Sequence, residues 1–326
     1  MRKLVAIGIS LMVFILFSCS PIREMNTDVL EPAGISFPED VYSVGILMPE
    51  PEVTINTRTY DEIEATPGKE LWTGITDIAA ISPRFNVRAL NLLEEYTDTI
   101  RKDTVEWNRV KRITDSIDVD ALMVFHRIKF SDSLEREIVY DYDYEGFYFV
   151  YQIHSLVEWK IYEPTSQSIF NEHTYEEQFV WEALGGNERE AIRRLVGINE
   201  AFSSAAYWSG NDIGHILFPY WIEESRFYYI RGNRYFRHAR EEVENNNWQK
   251  AIDIWKKNFK LNSEDAAYRA AHNIAFACEM LGKIDLAIEW VEKALDIGYT
   301  KRTSDYLDKL QERKEKLEKI DQQMPI

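Results

Sequence analysis

Residues 248–259 read WQKAIDIWKKNF, and residues 284–295 read IDLAIEWVEKAL. Aligned on Ala251 and Ala287, which stand 36 residues apart, both stretches repeat apolar residues at steps of three and four. That spacing predicts amphipathic helices with a small residue where a neighbouring helix comes close. Asn245-Asn246-Asn247 precedes the first stretch and Leu281-Gly282 the second, and both sequences suit a left-handed turn. Farther on, Leu307, Leu310, Leu317 and Ile320 recur in a charged background, which predicts a solvated capping helix over 304–320. Residues 211–326 are therefore expected to be an all-α helical repeat.

The 36-residue spacing is close to the ~34-residue period of tetratricopeptide repeats. The segment resembles that family, and the resemblance implies a concave groove lined by the first helix of each pair. Carried onto this chain, it places Asn233, Phe236, Arg237 and Arg240 on one first helix. Arg269, His272, Asn273 and Phe276 fall on the next. Three arginines and two asparagines there suit a peptide carboxylate or an acidic segment. Some tetratricopeptide domains hold a peptide's C-terminal carboxylate with Lys, Arg and Asn, and the lysines are absent here. The same arginines also fit a solvated face paired with Glu241, Glu242 and Glu244.

Upstream, the rhythm changes. Val41–Met48 (VYSVGILM), between Pro38 and Pro49, reads as a buried strand. Leu71–Ile81 and Thr104–Ile117 carry helical spacing, while Arg84–Leu90 and Ala121–Phe130 read as strands. Phe147–Tyr162 and Ser168–Val180 are long strand candidates joined by Glu163-Pro164-Thr165-Ser166-Gln167, a hairpin signal. Arg189–Trp208 returns to helical spacing. The fold class expected is α+β: a mixed sheet with helices over 39–210, then the helical repeat. VYSVGILM, DVDALMVFHRIKF and VEWKIYEPTSQSIFNEHTY together resemble the periplasmic α/β domain of envelope lipoproteins. That group includes the curli-secretion lipoprotein and lipoprotein activators of peptidoglycan synthases.

At the N-terminus, Arg2 and Lys3 precede an apolar run from Leu4 to Phe17, too short to span a bilayer and right for a signal peptide over 1–18. It ends in Leu16-Phe17-Ser18-Cys19, which resembles a bacterial lipobox and implies a lipidated Cys19. A multiply acylated cysteine anchors stably without a transmembrane helix. Residues 19–38, with Pro21, Pro32 and Pro38, are expected to be an extended tether. Ser20 is not the Asp that retains enteric lipoproteins at the inner membrane, so the resemblance implies the outer membrane, periplasmic face.

The chain has 326 residues and a formal net charge of −17, which repels phosphate backbones and excludes nucleic acid as the main partner. Cys278 is left as one thiol on an apolar helical face. The six histidines lack metal-ligand spacing, and no nucleophile-elbow or phosphate-loop motif is present. Asp141–Gly146 mimics the opening of a calcium loop, but position 12 would be Gln152 in place of a bidentate carboxylate. Neither catalysis, a cofactor nor a metal is expected. The lipobox, VYSVGILM, FPYWIEESRFYY and NNWQKAIDIW together resemble lipoproteins of unknown function of Bacteroidota type. The function expected is a lipid-anchored envelope adaptor that binds a protein or peptide through the repeat groove. Two alternatives stand beside it. One is a sensory lipoprotein whose glycan or muropeptide pocket is lined by Trp208, Phe218, Trp221, Phe227, Tyr228 and Tyr229, otherwise taken as interdomain apolar material. The other is an oligomeric structural component.

Overall fold

The computed structural model describes residues 21–57, 64–90, 105–141, 144–260 and 263–324. Its strands are β1 (Ile22–Glu31), β2 (Ser43–Leu47), β3 (Glu52–Thr54), β4 (Asn86–Leu90), β5 (Ala121–Asp141), β6 (Tyr144–Glu163), β7 (Ser168–Gly185) and β8 (Tyr220–Tyr229). Helices α1 (Pro67–Ile81), α2 (Trp107–Ile117), α3 (Glu188–Arg194) and α4 (Ile198–Leu217) accompany the first seven strands. After β8 come α5 (Arg234–Glu244), α6 (Trp248–Phe259), α7 (Glu264–Met280), α8 (Ile284–Ile297) and α9 (Lys301–Gln323). The class is α+β, as expected. Two units interleave in sequence: a sheet unit of residues 31–221 and 320–326, and a helical unit of residues 1–30 and 222–319.

In the sheet unit, β2 lies between β4 and β5 in parallel, with Val44 opposite both Val87 and Ala121. β5, β6 and β7 then form an antiparallel meander, giving the order β4-β2-β5-β6-β7. The run read as a strand over 121–130 continues to Asp141, and β7 reaches Gly185. Beside β5, the short β3 is held by the buried Asp132, which accepts bonds from the Asn56 backbone, the Thr57 hydroxyl and, at 3.2 Å, Tyr151. A bulge at His126 aims its Nε2 at the Tyr162 hydroxyl, 3.0 Å away. This is the satisfied polar contact expected of a histidine in an apolar strand.

The two sheet faces are covered unequally. On one face α1 and α4 bury Leu71, Ile75, Phe202 and Ala205 over Phe125, Tyr151 and Trp159. On the other, α2 covers a smaller cluster of Val110, Ile113, Leu122, Val124 and Tyr162. α1 and α4 touch backbone to backbone. A Cβ on Gly74 would stand 2.1 Å from the Tyr207 carbonyl, and one on Gly210 would stand 2.1 Å from the Leu71 carbonyl. Only glycine fits that crossing.

Three expectations need correction. The helix predicted over 189–208 is two helices, α3 and α4. Leu195 and the N-cap Gly197 are extended, and glycine is a poor residue for carrying a helix through. Ile22–Glu31, read as part of the tether, is a strand paired with β8, with Ile22 and Met25 packed on the helical core. The expected domain edge at 210/211 falls inside α4, and the units divide at 221/222. Residues 1–20, including the lipobox and Cys19, lie outside the described residues, as do 142 and 143 of the calcium-loop mimic.

Candidate functional site

After β8 the helical unit is all-α, as expected. Pairs α5/α6 and α7/α8 are closed by turns at Asn246 and Gly282, both with positive φ. Ala251 and Ala287 are fully buried where small residues were expected. Cys278 is buried too, and burial pushes its thiol pKa up. On α5 the expected groove residues Asn233, Arg237 and Arg240 are exposed, but the corresponding face of α7 is covered by the chain itself. β8 lies against it.

The contact is specific. Asn273 pairs with the backbone of Tyr229 in both directions: its Oδ1 accepts from the Tyr229 N–H and its Nδ2 donates to the Tyr229 carbonyl, each at 2.7 Å. One carboxamide thus reproduces the donor–acceptor pair that a neighbouring strand would offer. His272 donates from Nε2 to the Phe227 carbonyl at 3.2 Å, and its Nδ1 is left to accept from the Thr303 hydroxyl at 3.3 Å. Burial drops its pKa to about 4, against a weaker opposing effect of the Phe227 carbonyl, so the ring is neutral at physiological pH. Tyr228 stacks on Phe276 at 5.4 Å, and Phe227 on His272 at 4.5 Å.

Beside these rings the Arg226 guanidinium, 2% exposed, meets Glu279 at 2.9 Å and Glu224 at 2.5 Å. Tyr306 completes the network by donating to Glu279 at 2.6 Å. Burial lowers the Arg226 pKa, but the bonds and charge of Glu279 and Glu224 outweigh it and hold the pKa above its ordinary value.

Of the eight groove residues expected, Phe236, His272, Asn273 and Phe276 are core residues. β8, which lacks the apolar alternation of a strand, covers the three on α7. Asn233 caps α5 through the Tyr235 N–H and donates to Asn258. Arg240 pairs with Glu244 and Arg269 with Asp265, each one helical turn away, while Arg237 is exposed. The aromatics taken as interdomain material also divide. Phe218 belongs to the sheet core and Tyr228 and Tyr229 to the helical core, while Trp208 and Trp221 are about half exposed.

Two surface features of the sheet unit stand apart from the expected sites. β7 is an edge strand of 18 residues, and Ile169, Val180 and Leu184 are exposed along it. Near its end, Phe147, Asn187, Glu188, Arg189, Ile192 and Arg193 line an open concavity of about 650 Å³. Among the described residues no group of His, Cys, Asp and Glu is placed to hold a metal ion, and no helix is long and apolar enough to cross a membrane.

Residues 82–229 match the model of a domain of unknown function, DUF8603, and residues 237–319 match a second, DUF6340. Each match spans less than half of the chain. No curated protein matches. Among solved structures, lipoprotein GNA1162 from Neisseria meningitidis is 10% identical with a TM-score of 0.20, over 52% of this chain and 96% of its own. The PelC dodecamer from Paraburkholderia phytofirmans is 8% identical with a TM-score of 0.23, over 57% and 96%. The hypothetical protein CT253 from Chlamydia trachomatis is 10% identical with a TM-score of 0.25, over 54% and 97%.

Proposed function

We propose that this chain is a lipid-anchored envelope protein, held at the periplasmic face of the outer membrane through Cys19, that acts as a non-catalytic protein-binding scaffold. Its helical pairs are tetratricopeptide-type repeats whose groove is engaged in cis by β8. The partner therefore docks elsewhere than the sequence alone implied. The observation that carries this reading is β7: a long edge strand offers a row of backbone groups for a partner strand, and exposed apolar side chains at Ile169, Val180 and Leu184 offer contact area.

Photo-crosslinking residues placed at Val180, Leu184 and Arg240 of the full chain in living cells test it. A discrete adduct at Val180 or Leu184, and none at Arg240, is expected. Adducts at twice the mass of the chain would instead favour the oligomeric reading. Adducts confined to Arg240 would return the site to the repeat. Separately, Cys19→Ser is expected to release the protein from the membrane fraction and abolish incorporation of labelled fatty acid.

A second reading has its own observation. The concavity beside α3 combines Phe147 and Ile192 with Arg189 and Arg193, which suits an anionic, partly apolar ligand such as a muropeptide. A rise in melting temperature with muropeptides, lost in Arg189→Glu, Arg193→Glu, would support it. Loss of β7 crosslinks on adding the same ligand would place both readings on one surface.

A further inference from the structure

We infer that a cluster of arginines on the helical unit is a second membrane contact, seated on anionic lipid headgroups beside the lipid anchor. This rests on the reading of Cys19 as the lipidated residue. Pro21 is already in the fold: its carbonyl accepts from the Ile230 N–H at 2.9 Å. Cys19 is only two residues earlier, so chain contour alone keeps it within about 7 Å of Pro21. Residues 22–31 of the expected extended tether are strand β1, so the body meets the membrane where β1 begins.

That entry point is basic in an acidic protein. Residues 231–240, RGNRYFRHAR, hold four arginines and a histidine without one carboxylate, in a chain of net charge −17. Arg231 follows Ile230 directly. Arg234 lies over the Tyr235 ring, and Arg237 is one turn farther along the same exposed face of α5. From neighbouring helices, Arg269 donates to the Arg231 carbonyl at 3.2 Å and lies over Tyr229, and Arg302 lies over Phe227. Of the carboxylates nearby, Asp265 pairs with Arg269 and Glu244 with Arg240 and Arg23, and Glu241, exposed one turn beyond Arg237, is the acidic group that faces the cluster from α5. Arg234 and Arg237 have no ion-pair partner among the described residues. Basic groups within a Debye length of an anionic surface add to lipid anchoring, and the short link holds them in that range. An acidic peptide has the same charge, but the enforced proximity to the bilayer selects the headgroup phosphates.

The test removes the acyl chains, so that it succeeds or fails independently of lipidation. The mature chain from residue 19, carrying Cys19→Ser, is floated with vesicles of phosphatidylcholine alone or with 30% phosphatidylglycerol. Flotation with the anionic vesicles only, abolished by high salt, is expected. Arg231→Glu, Arg234→Glu, Arg237→Glu is expected to lower partitioning at least tenfold. Lys250→Glu, Lys256→Glu, Lys257→Glu, the same charge change on α6, is expected to leave it unchanged. Should the arginine variant not fold, Arg234→Gln, Arg237→Gln is the milder substitute, with a smaller loss expected. Absence of flotation by the native chain, equal loss in the lysine variant, or tighter binding to polyglutamate than to anionic vesicles would each overturn the inference.

Discussion

Helices α1 and α4 meet through glycine, whereas β8 and α7 meet through a carboxamide, an imidazole and a guanidinium. Both contacts are close and fully buried. The first is a steric solution: removing Cβ atoms at Gly74 and Gly210 lets two backbones touch, and nothing polar needs a partner. The second is a chemical one: Asn273, His272 and Arg226 bring donors and acceptors into the interior, and each needs a partner in place. Steric contacts tolerate a change of polarity poorly but are indifferent to pH. Polar contacts tolerate small shifts in shape but fail when one partner is lost or gains a proton.

The largest expected effect separates the two kinds of contact. Arg226→Ala leaves Glu279 buried without its cation, and a loss of about 3–5 kcal/mol is expected in urea unfolding of the helical unit. The double variant Arg226→Met, Glu279→Gln is expected to recover most of it. A double variant no better than the single one would mean that shape, not charge, governs this contact too.

Next comes pH. The folded pKa of His272, about 4, lies below its ordinary 6.5, so the unfolded chain binds a proton that the folded chain refuses. The stabilising effect is complete above pH 6.5, declines as pH falls, and is lost by about pH 4, a swing of about 3 kcal/mol. Unfolding measured between pH 7 and 4 should show that slope, and His272→Gln should flatten it. Gly210→Ala is expected to cost about 1–3 kcal/mol, equal at pH 7 and pH 5. A pH-dependent cost would blur the distinction between the contacts.

The same distinction explains what could be read from the sequence. Ala251 and Ala287 announce their helices because small residues at a fixed period have one structural meaning, and the apolar strand VYSVGILM announces β2. β8 did not declare itself. Its inward positions include Glu224 and Arg226, which break the apolar alternation that marks a strand, and the carboxylate that makes Arg226 tolerable inside lies 53 residues away on α7. With β8 unseen, Phe236, His272, Asn273 and Phe276 had helical spacing but no visible cover, so a groove was the natural reading. β1 was hidden for a related reason: the prolines that flank it, Pro21 and Pro32, signal a tether, and its partner is about 200 residues farther along the chain.

The interleaving of the two units bears on how the protein withstands proteases. The polypeptide passes between them three times, near residues 30, 221 and 319. A single cleavage at any one passage leaves two others intact and sets neither unit free. Excising a unit takes more than one scission. A fragment cut at residue 221 by gene truncation separates β1 from β8, and recombination at that boundary would transfer no whole unit to another protein.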